Sequence, residues 1–283
     1  MNNVNHAIGL MDSGIGGLTV LKAAKALLPH ESMVFVGDNA RNPYGPKSPE
    51  EVIEYARQIA GFLVEKHQIK VLAIACNTAT ACALPVLQDE LDIPVIGVID
   101  SGAKAAVEAS HNGRIGLIAT EGTVQSEKYQ QDIASLDPEA QVFAQAEPDF
   151  VQFVEKNTYK SKESKQAVQE HLAAFKDDNI DTLILGCTHF PLLTDAIASA
   201  VGKDVALVDA GAATATDLAD YLKSEGLLRK TTIPQPTYQL YTTGPVDTFA
   251  EIANNWLGKG DWKYKHLPVD VLTKENVDWC REE

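Results

Sequence analysis

What most limits the folds open to this chain is a regular alternation. Short apolar runs at residues 7–11, 33–37, 71–75, 95–99, 115–119, 182–186 and 206–209 are each followed by a polar or glycine-containing turn and then a helical pattern. Continuous apolar runs of this length suit strands buried on both faces, and parallel neighbours need a crossover helix to connect them. The pattern predicts an α/β chain with mostly parallel sheets wrapped by helices. Ligands of such sheets bind at the carboxyl ends of the strands, so the residues closing each run are where chemistry is expected.

Two landmarks recur at nearly one separation. Ile8-Gly9-Leu10-Met11-Asp12 is similar to Ile115-Gly116-Leu117-Ile118-Ala119, an offset of 107, and the segment ending at Cys76-Asn77-Thr78 is similar to that ending at Cys187-Thr188-His189, where the cysteines are 111 apart. The repetition predicts two related α/β halves, each with a cysteine at the end of an equivalent strand. The expected division is 1–98 plus 211–283 for the half carrying Cys76 and 99–210 for the half carrying Cys187. Residues 98–102 read as the crossover out of the first half and 208–213 as the return. Residues 157–165 read as a solvated helix face or loop, and 229–237 as a linker to a last segment that packs back as strand and helix.

Lys and Arg number 24 against 39 Asp and Glu, a net charge of -15, which argues against a nucleic-acid surface. It does not exclude an anionic ligand, since a few oriented backbone N–H groups bind a carboxylate locally. No signal peptide is legible, and the most membrane-like stretch, 71–87, is interrupted by Asn77, Thr78, Thr80 and Pro85. The four cysteines, at 76, 82, 187 and 280, have no CxxC spacing, which predicts reduced thiols and a cytoplasmic protein. Cys82 reads as helix packing and Cys280 as a tail residue.

Asp12-Ser13-Gly14-Ile15-Gly16-Gly17 is glycine-rich and follows a strand, but Thr19 stands where a dinucleotide fingerprint needs its last glycine, and no P-loop Lys follows. It reads as a tight turn at a helix start, with Ser13 and backbone N–H groups free to hold a carboxylate; Asp12 serves either there or simply as a cap. Pro43-Tyr44-Gly45, in the loop after the second strand, favours a turn that projects the phenol and free N–H groups. Cys76 and Cys187 each sit where a strand gives way to a helix, whose N-terminus favours a thiolate. Three chemistries use two thiols: a zinc site with His189, a redox pair, and proton transfer by two bases on opposite faces of a stereocentre. The first has no convincing fourth ligand, and the second lacks CxxC. The third matches a site between duplicated halves.

Asp12-Ser13-Gly14-Ile15-Gly16-Gly17-Leu18, Pro43-Tyr44-Gly45, Cys76-Asn77-Thr78-Ala79, Gly186-Cys187-Thr188-His189-Phe190-Pro191-Leu192-Leu193 and Tyr241-Thr242-Thr243-Gly244 together closely resemble the glutamate racemases of the aspartate/glutamate racemase family. The resemblance implies two similar α/β domains related by a pseudo-twofold axis, with the active site in the cleft between them, and a cofactor-independent, metal-free enzyme making D-glutamate for peptidoglycan. Cys76 would exchange the α-proton with the D-enantiomer and Cys187 with the L-enantiomer, assisted by Asp12 and His189 respectively. Asp12, Ser13, Pro43, Tyr44, Gly45, Asn77, Thr78, Thr120, Thr188 and His189 match substrate-binding positions, and Asp38 and Glu155 match acids near the site. Aspartate racemases usually carry Glu where His189 stands, so the histidine favours glutamate; aspartate or another acidic amino acid, or mere binding of one, are the alternatives. Ala146-Glu147-Pro148 departs from the Ala-Cys-Pro of many relatives. The resemblance also implies a homodimer, no membrane or nucleic-acid partner and, with only about seven residues before the first strand, no activation by a cell-wall precursor.

Overall fold

The computed structural model describes residues 3–230 and 234–274, so Cys280 and its expected tail lie outside the described residues. The first part of the chain runs β1 (Ile8–Asp12), α1 (Leu18–Leu27), β2 (Met33–Gly37), α2 (Pro49–His67), β3 (Val71–Ile74), α3 (Asn77–Glu90), β4 (Val95–Gly97) and α4 (Val98–Ala109). The middle adds β5 (Arg114–Ala119), α5 (Glu121–Gln125), α6 (Lys128–Leu136), β6 (Gln141–Ala146), α7 (Pro148–Glu155), α8 (Lys162–His171), a 3-10 turn (Leu172–Lys176), β7 (Thr182–Gly186), a second 3-10 turn (Phe190–Leu193), α9 (Thr194–Val201) and β8 (Ala206–Asp209). The chain then returns through α10 (Ala210–Ser224), β9 (Tyr238–Thr242), α11 (Val246–Leu257), β10 (Trp262–His266) and α12 (Val269–Lys274).

The strands form two sheets, one of six in the order β10-β9-β2-β1-β3-β4 and one of four in the order β6-β5-β7-β8. Every pairing between described strands is parallel. The duplication read from sequence is present in topology and register alike. β2-β1-β3-β4 and β6-β5-β7-β8 are the same order, and Ile8 pairs with Val71 as Ile115 pairs with Thr182. The residues matched at offsets of 107 and 111 are therefore partners within each sheet. The shared order 2-1-3-4 has its switch at the first strand of each half, where the chain reverses its winding direction and opens a crevice at the strand ends.

Each sheet is covered by helices on both faces, as its strand burial demands. Leu10, Phe35 and Ala73 of the larger sheet pack under α10 through Ala215, Leu218 and Leu222, while Ile99, Ala103 and Ala106 of α4 pack on Ile115, Leu117 and Ile184 of the smaller. The two helices that carry the chain between sheets therefore each seal a different core. Among the described residues no helix is long and apolar enough to cross a membrane.

Three local expectations change. The run at 95–99 stops being a strand at Gly97: Val98 already starts α4, its N–H held at 3.3 Å by Thr80 Oγ1. Gly97 packs so closely on α3 that a Cβ would lie 2.4 Å from Thr80 Cγ2, so the chain turns away there. β6, Gln-Val-Phe-Ala-Gln-Ala, is an additional edge strand, nowhere fully buried. Among its described residues the last segment contributes two strands and two helices rather than one of each.

Candidate active site

The carboxyl ends of β1, β3, β5 and β7 converge on a cavity of about 270 Å³ between the sheets. Its walls include Ser13, Pro43, Tyr44, Gly45, Cys76, Asn77 and Thr78 from one half and Thr120, Cys187, Thr188 and His189 from the other. Asp12, Asp38 and Glu155 do not line it. They stand one layer behind, each bonded to a residue that does. Among the described residues no three His, Cys, Asp or Glu side chains are grouped to hold a metal ion, and Cys76, Cys82 and Cys187 are free thiols.

Cys76 is the N-cap of α3, its sulfur accepting the Ala79 N–H at 3.4 Å while its S–H is directed at Ser13 Oγ, 3.5 Å away. The helix terminus was expected to favour a thiolate there. Burial dominates instead, and with the nearby Asp12 carboxylate it pushes the thiol up to about 12, against the opposing pull of the Ala79 and Ser13 hydrogen bonds. Cys76 thus rests as a protonated acid. Asp12, fully buried, is also held above the ordinary carboxylate range by burial, although His189 and the Gly14 and Gly17 amides pull it down. Its Oδ2 accepts the Gly14 N–H at 3.0 Å, so it does cap the turn, and its Oδ1 lies 3.5 Å from the Thr188 hydroxyl of the opposite half.

Cys187 differs from the expectation in another way. No α-helix starts at it; Phe190–Leu193 forms a 3-10 turn, closed by Phe190 N–H to Cys187 O and Leu192 N–H to His189 O, and α9 begins only at Thr194. The positive partner of this sulfur is an imidazole. His189 Nδ1 lies 3.6 Å from Cys187 Sγ, and its Nε2 lies 2.9 Å from Glu155 Oε1. Burial disfavours the charged ring, but the hydrogen bonds and charges of Cys187 and Glu155 outweigh it and raise His189 to about 10. Glu155 in turn is held below its ordinary value: burial works the other way, but His189 and the Asn42 carboxamide, 3.3 Å off, prevail. The two thiols are thus unlike, one beside a carboxyl group and the other beside an imidazolium.

The glycine-rich turn owes its composition to the approach of the two halves. A Cβ at Gly16 would lie 2.2 Å from Thr188 Oγ1 and 2.8 Å from His189 Nδ1, so only glycine lets this loop close over the Cys187 strand end. The phenol of Tyr44, expected to project freely, is turned inward and donates to Asp38 Oδ2 at 2.5 Å. Asp38 also accepts from Arg41 Nε at 2.7 Å and Thr243 Oγ1 at 2.8 Å. This buried carboxylate thereby locks the Tyr44-Gly45 wall. Asp38→Ala strands three donors, one of them charged, and is expected to lower unfolding free energy by about 3 kcal/mol, read by urea titration, with a raised KM for the substrate.

Sequence reasoning overlooked several walls: Asn42, Pro46, Glu121, Pro148, Val151 and Gln152. The last three belong to α7, which also carries Glu155. The departure at Glu147 lies at the base of this helix. Its buried carboxylate meets His171 Nδ1 at 2.7 Å and Gln145 Nε2 at 2.6 Å, anchoring the end of β6 from which α7 starts.

Comparison with known proteins agrees with this geometry. The model of the family described as Asp/Glu/Hydantoin racemase matches residues 18–218. A glutamate racemase of Levilactobacillus brevis is 50% identical over 269 residues, which cover 95% of this chain and 97% of the relative. One of Enterococcus faecalis is 46% identical over 262 residues, covering 93% and 96%. A crystal structure of a Bacillus anthracis glutamate racemase superposes with a TM-score of 0.89 at 40% identity, covering 93% of this chain and 98% of that one. The Francisella tularensis glutamate racemase, solved in complex with D-glutamate, gives 0.87 at 33% identity and covers 95% and 99%. With two matching sheets, a cysteine ending one strand of each, and relatives aligned over nearly its whole length, the chain belongs to the Asp/Glu/hydantoin racemase family.

Proposed function

We propose that this protein interconverts L- and D-glutamate by exchanging the α-proton between Cys76 and Cys187. The observation that carries this reading is the pair of unlike thiols, at register-equivalent strand ends, facing one cavity. In the L-to-D direction the thiolate form of Cys187, with its charge offset by the His189 imidazolium, takes the α-proton. The electron pair left on Cα delocalises into the α-carboxylate, and the Cys76 S–H delivers its proton to the opposite face, leaving Cys76 as the thiolate. In reverse the Cys76 thiolate takes the α-proton and the Cys187 S–H delivers its own to the opposite face, and Asp12, whose charge raises the Cys76 thiol, favours proton capture by that sulfur.

The α-hydrogen is a very weak acid, so the site must stabilise the developing negative charge by preorganised dipoles. Among the described lining residues there is no Arg or Lys. Carboxylates are held instead by the amide N–H groups starting α3, the Asn77 carboxamide, the Tyr44-Gly45 backbone and the hydroxyls of Ser13, Thr78, Thr120 and Thr188. Relatives named glutamate racemase at half identity favour glutamate over aspartate; relative kcat/KM on the two amino acids measures that preference.

The domain division 1–98 plus 211–283 and 99–210 belongs to the same proposal, supported by the separate cores under α10 and α4. So do a homodimeric state, drawn from family resemblance, and a cytoplasmic place, drawn from the cysteine spacing; sedimentation velocity reads the former. The reaction is tested in deuterated water. L-glutamate incubated with the protein should gain one deuterium at Cα as optical rotation decays to zero, and rotation lost without deuterium uptake rules out proton exchange with these thiols.

A further inference from the structure

Asn77 and Thr78, the first two residues of α3, are both gripped from across the cleft. The Thr78 hydroxyl lies 2.9 Å from Thr120 Oγ1 and 3.4 Å from Thr123 Oγ1, and these two lie 3.0 Å from each other. The Asn77 contact is of a different kind. Its Oδ1 accepts a hydrogen bond from the phenol of Tyr129 at 2.8 Å, and both side chains are buried. Tyr129 is on α6, does not line the cavity and was not among the residues the sequence singled out.

A carboxamide has two ends of similar shape and opposite polarity, and only its bonding partners decide which faces a ligand. Tyr129 presents a single hydrogen, and Asn77 Oδ1 is its acceptor. Burial and the surrounding Asp209 and Asp100 carboxylates hold the phenol well above its ordinary value, so that hydrogen stays in place. With Oδ1 engaged by Tyr129, the Nδ2 end is the one left for the cavity that Asn77 lines. The phenol itself is fixed by close packing. Gly102 of α4 passes so near that a Cβ there would lie 2.9 Å from Tyr129 Oη and 2.9 Å from Ala210 Cβ.

We infer that Tyr129 is a positioning residue for the reaction: its hydroxyl fixes the Asn77 carboxamide with the amino end turned to the substrate carboxylate. Without that hydroxyl nothing holds Oδ1 away from the ligand, and the amide can turn its carbonyl dipole against the carboxylate. The inference rests on the proposed amino-acid chemistry of the cavity, and wild-type turnover is measured alongside to separate the two.

The decisive set is wild type, Tyr129→Phe, Asn77→Ala and the double variant, assayed for KM and kcat in both directions. Tyr129→Phe should raise KM for both enantiomers about 5- to 10-fold, the span of one neutral hydrogen bond, with a smaller change in kcat. In the Asn77→Ala background the same change should add less than twofold, because the hydroxyl acts only through the carboxamide. Gly102→Ala, which keeps the hydroxyl but crowds it, should reproduce the KM rise and the same loss of additivity, and stands in if Tyr129→Phe does not fold. A lowered melting temperature with KM within twofold of wild type overturns the inference, as does full additivity of the two substitutions. Absent glutamate turnover by the wild type overturns the activity reading instead.

Discussion

Cys76→Ser and Cys187→Ser should each lower kcat/KM for glutamate racemisation by at least about 10³-fold, equally in the two directions. A hydroxyl is a far weaker acid than a thiol, so serine at 187 is a poor base for the α-hydrogen, and serine at 76 must surrender its proton to leave an alkoxide in a site that already raises the thiol to about 12. The equality is thermodynamic. Enantiomers have the same free energy, so the ratio of forward to reverse kcat/KM is one for any variant. The asymmetry of the site should therefore emerge in exchange, not in those ratios. Cys76→Ser retains the Cys187–His189 pair and is expected to wash deuterium into L-glutamate from solvent faster than it forms D-glutamate. Proton NMR of the α-position beside polarimetry reads both. Full racemisation by both single variants removes the sulfurs from the reaction.

His189→Asn should be nearly as damaging, lowering kcat/KM by about 10²- to 10⁴-fold, because it removes the cation beside Cys187 and leaves Glu155 without its strongest partner. The same substitution should alter the pH dependence of stability. The folded protein raises His189 from its ordinary value to about 10, so it binds this proton more tightly than the unfolded chain does. That contribution is complete below about pH 6.5 and is lost progressively as pH climbs towards 10. Wild-type urea midpoints should fall across that interval, and His189→Asn should flatten the decline. A wild-type midpoint that stays constant from pH 7 to 10 contradicts a charged histidine in this position.

Much of the architecture was legible because a buried parallel strand has an unmistakable composition. The seven runs read from sequence all contain strands, and the matched landmarks of the two halves are in register. β6 escaped notice because it is an edge strand, half-covered and carrying Gln141 and Gln145, so it lacks the apolar signal of its neighbours. The lining residues that were named come from short stretches after strands, where topology requires a ligand to sit. Of the walls that were missed, Pro148, Val151 and Gln152 come from α7, and Tyr129, which stands behind the wall, comes from α6, elements whose own sequences are ordinary amphipathic helices.

The chain's sequence, through apolar periodicity and repeated motifs, determined by itself that there are two α/β halves and which thiols end their equivalent strands. Only the tertiary structure decided what each thiol is. Helix starts in the sequence favour a thiolate at either position and leave open which cysteine stays protonated, but burial beside Asp12 leaves Cys76 a protonated acid, while a 3-10 turn places Cys187 against an imidazolium held by Glu155 from α7. Strand formation is specified by neighbours along the chain, whereas charge in a buried site depends on desolvation and on partners that folding brings from more than thirty residues away.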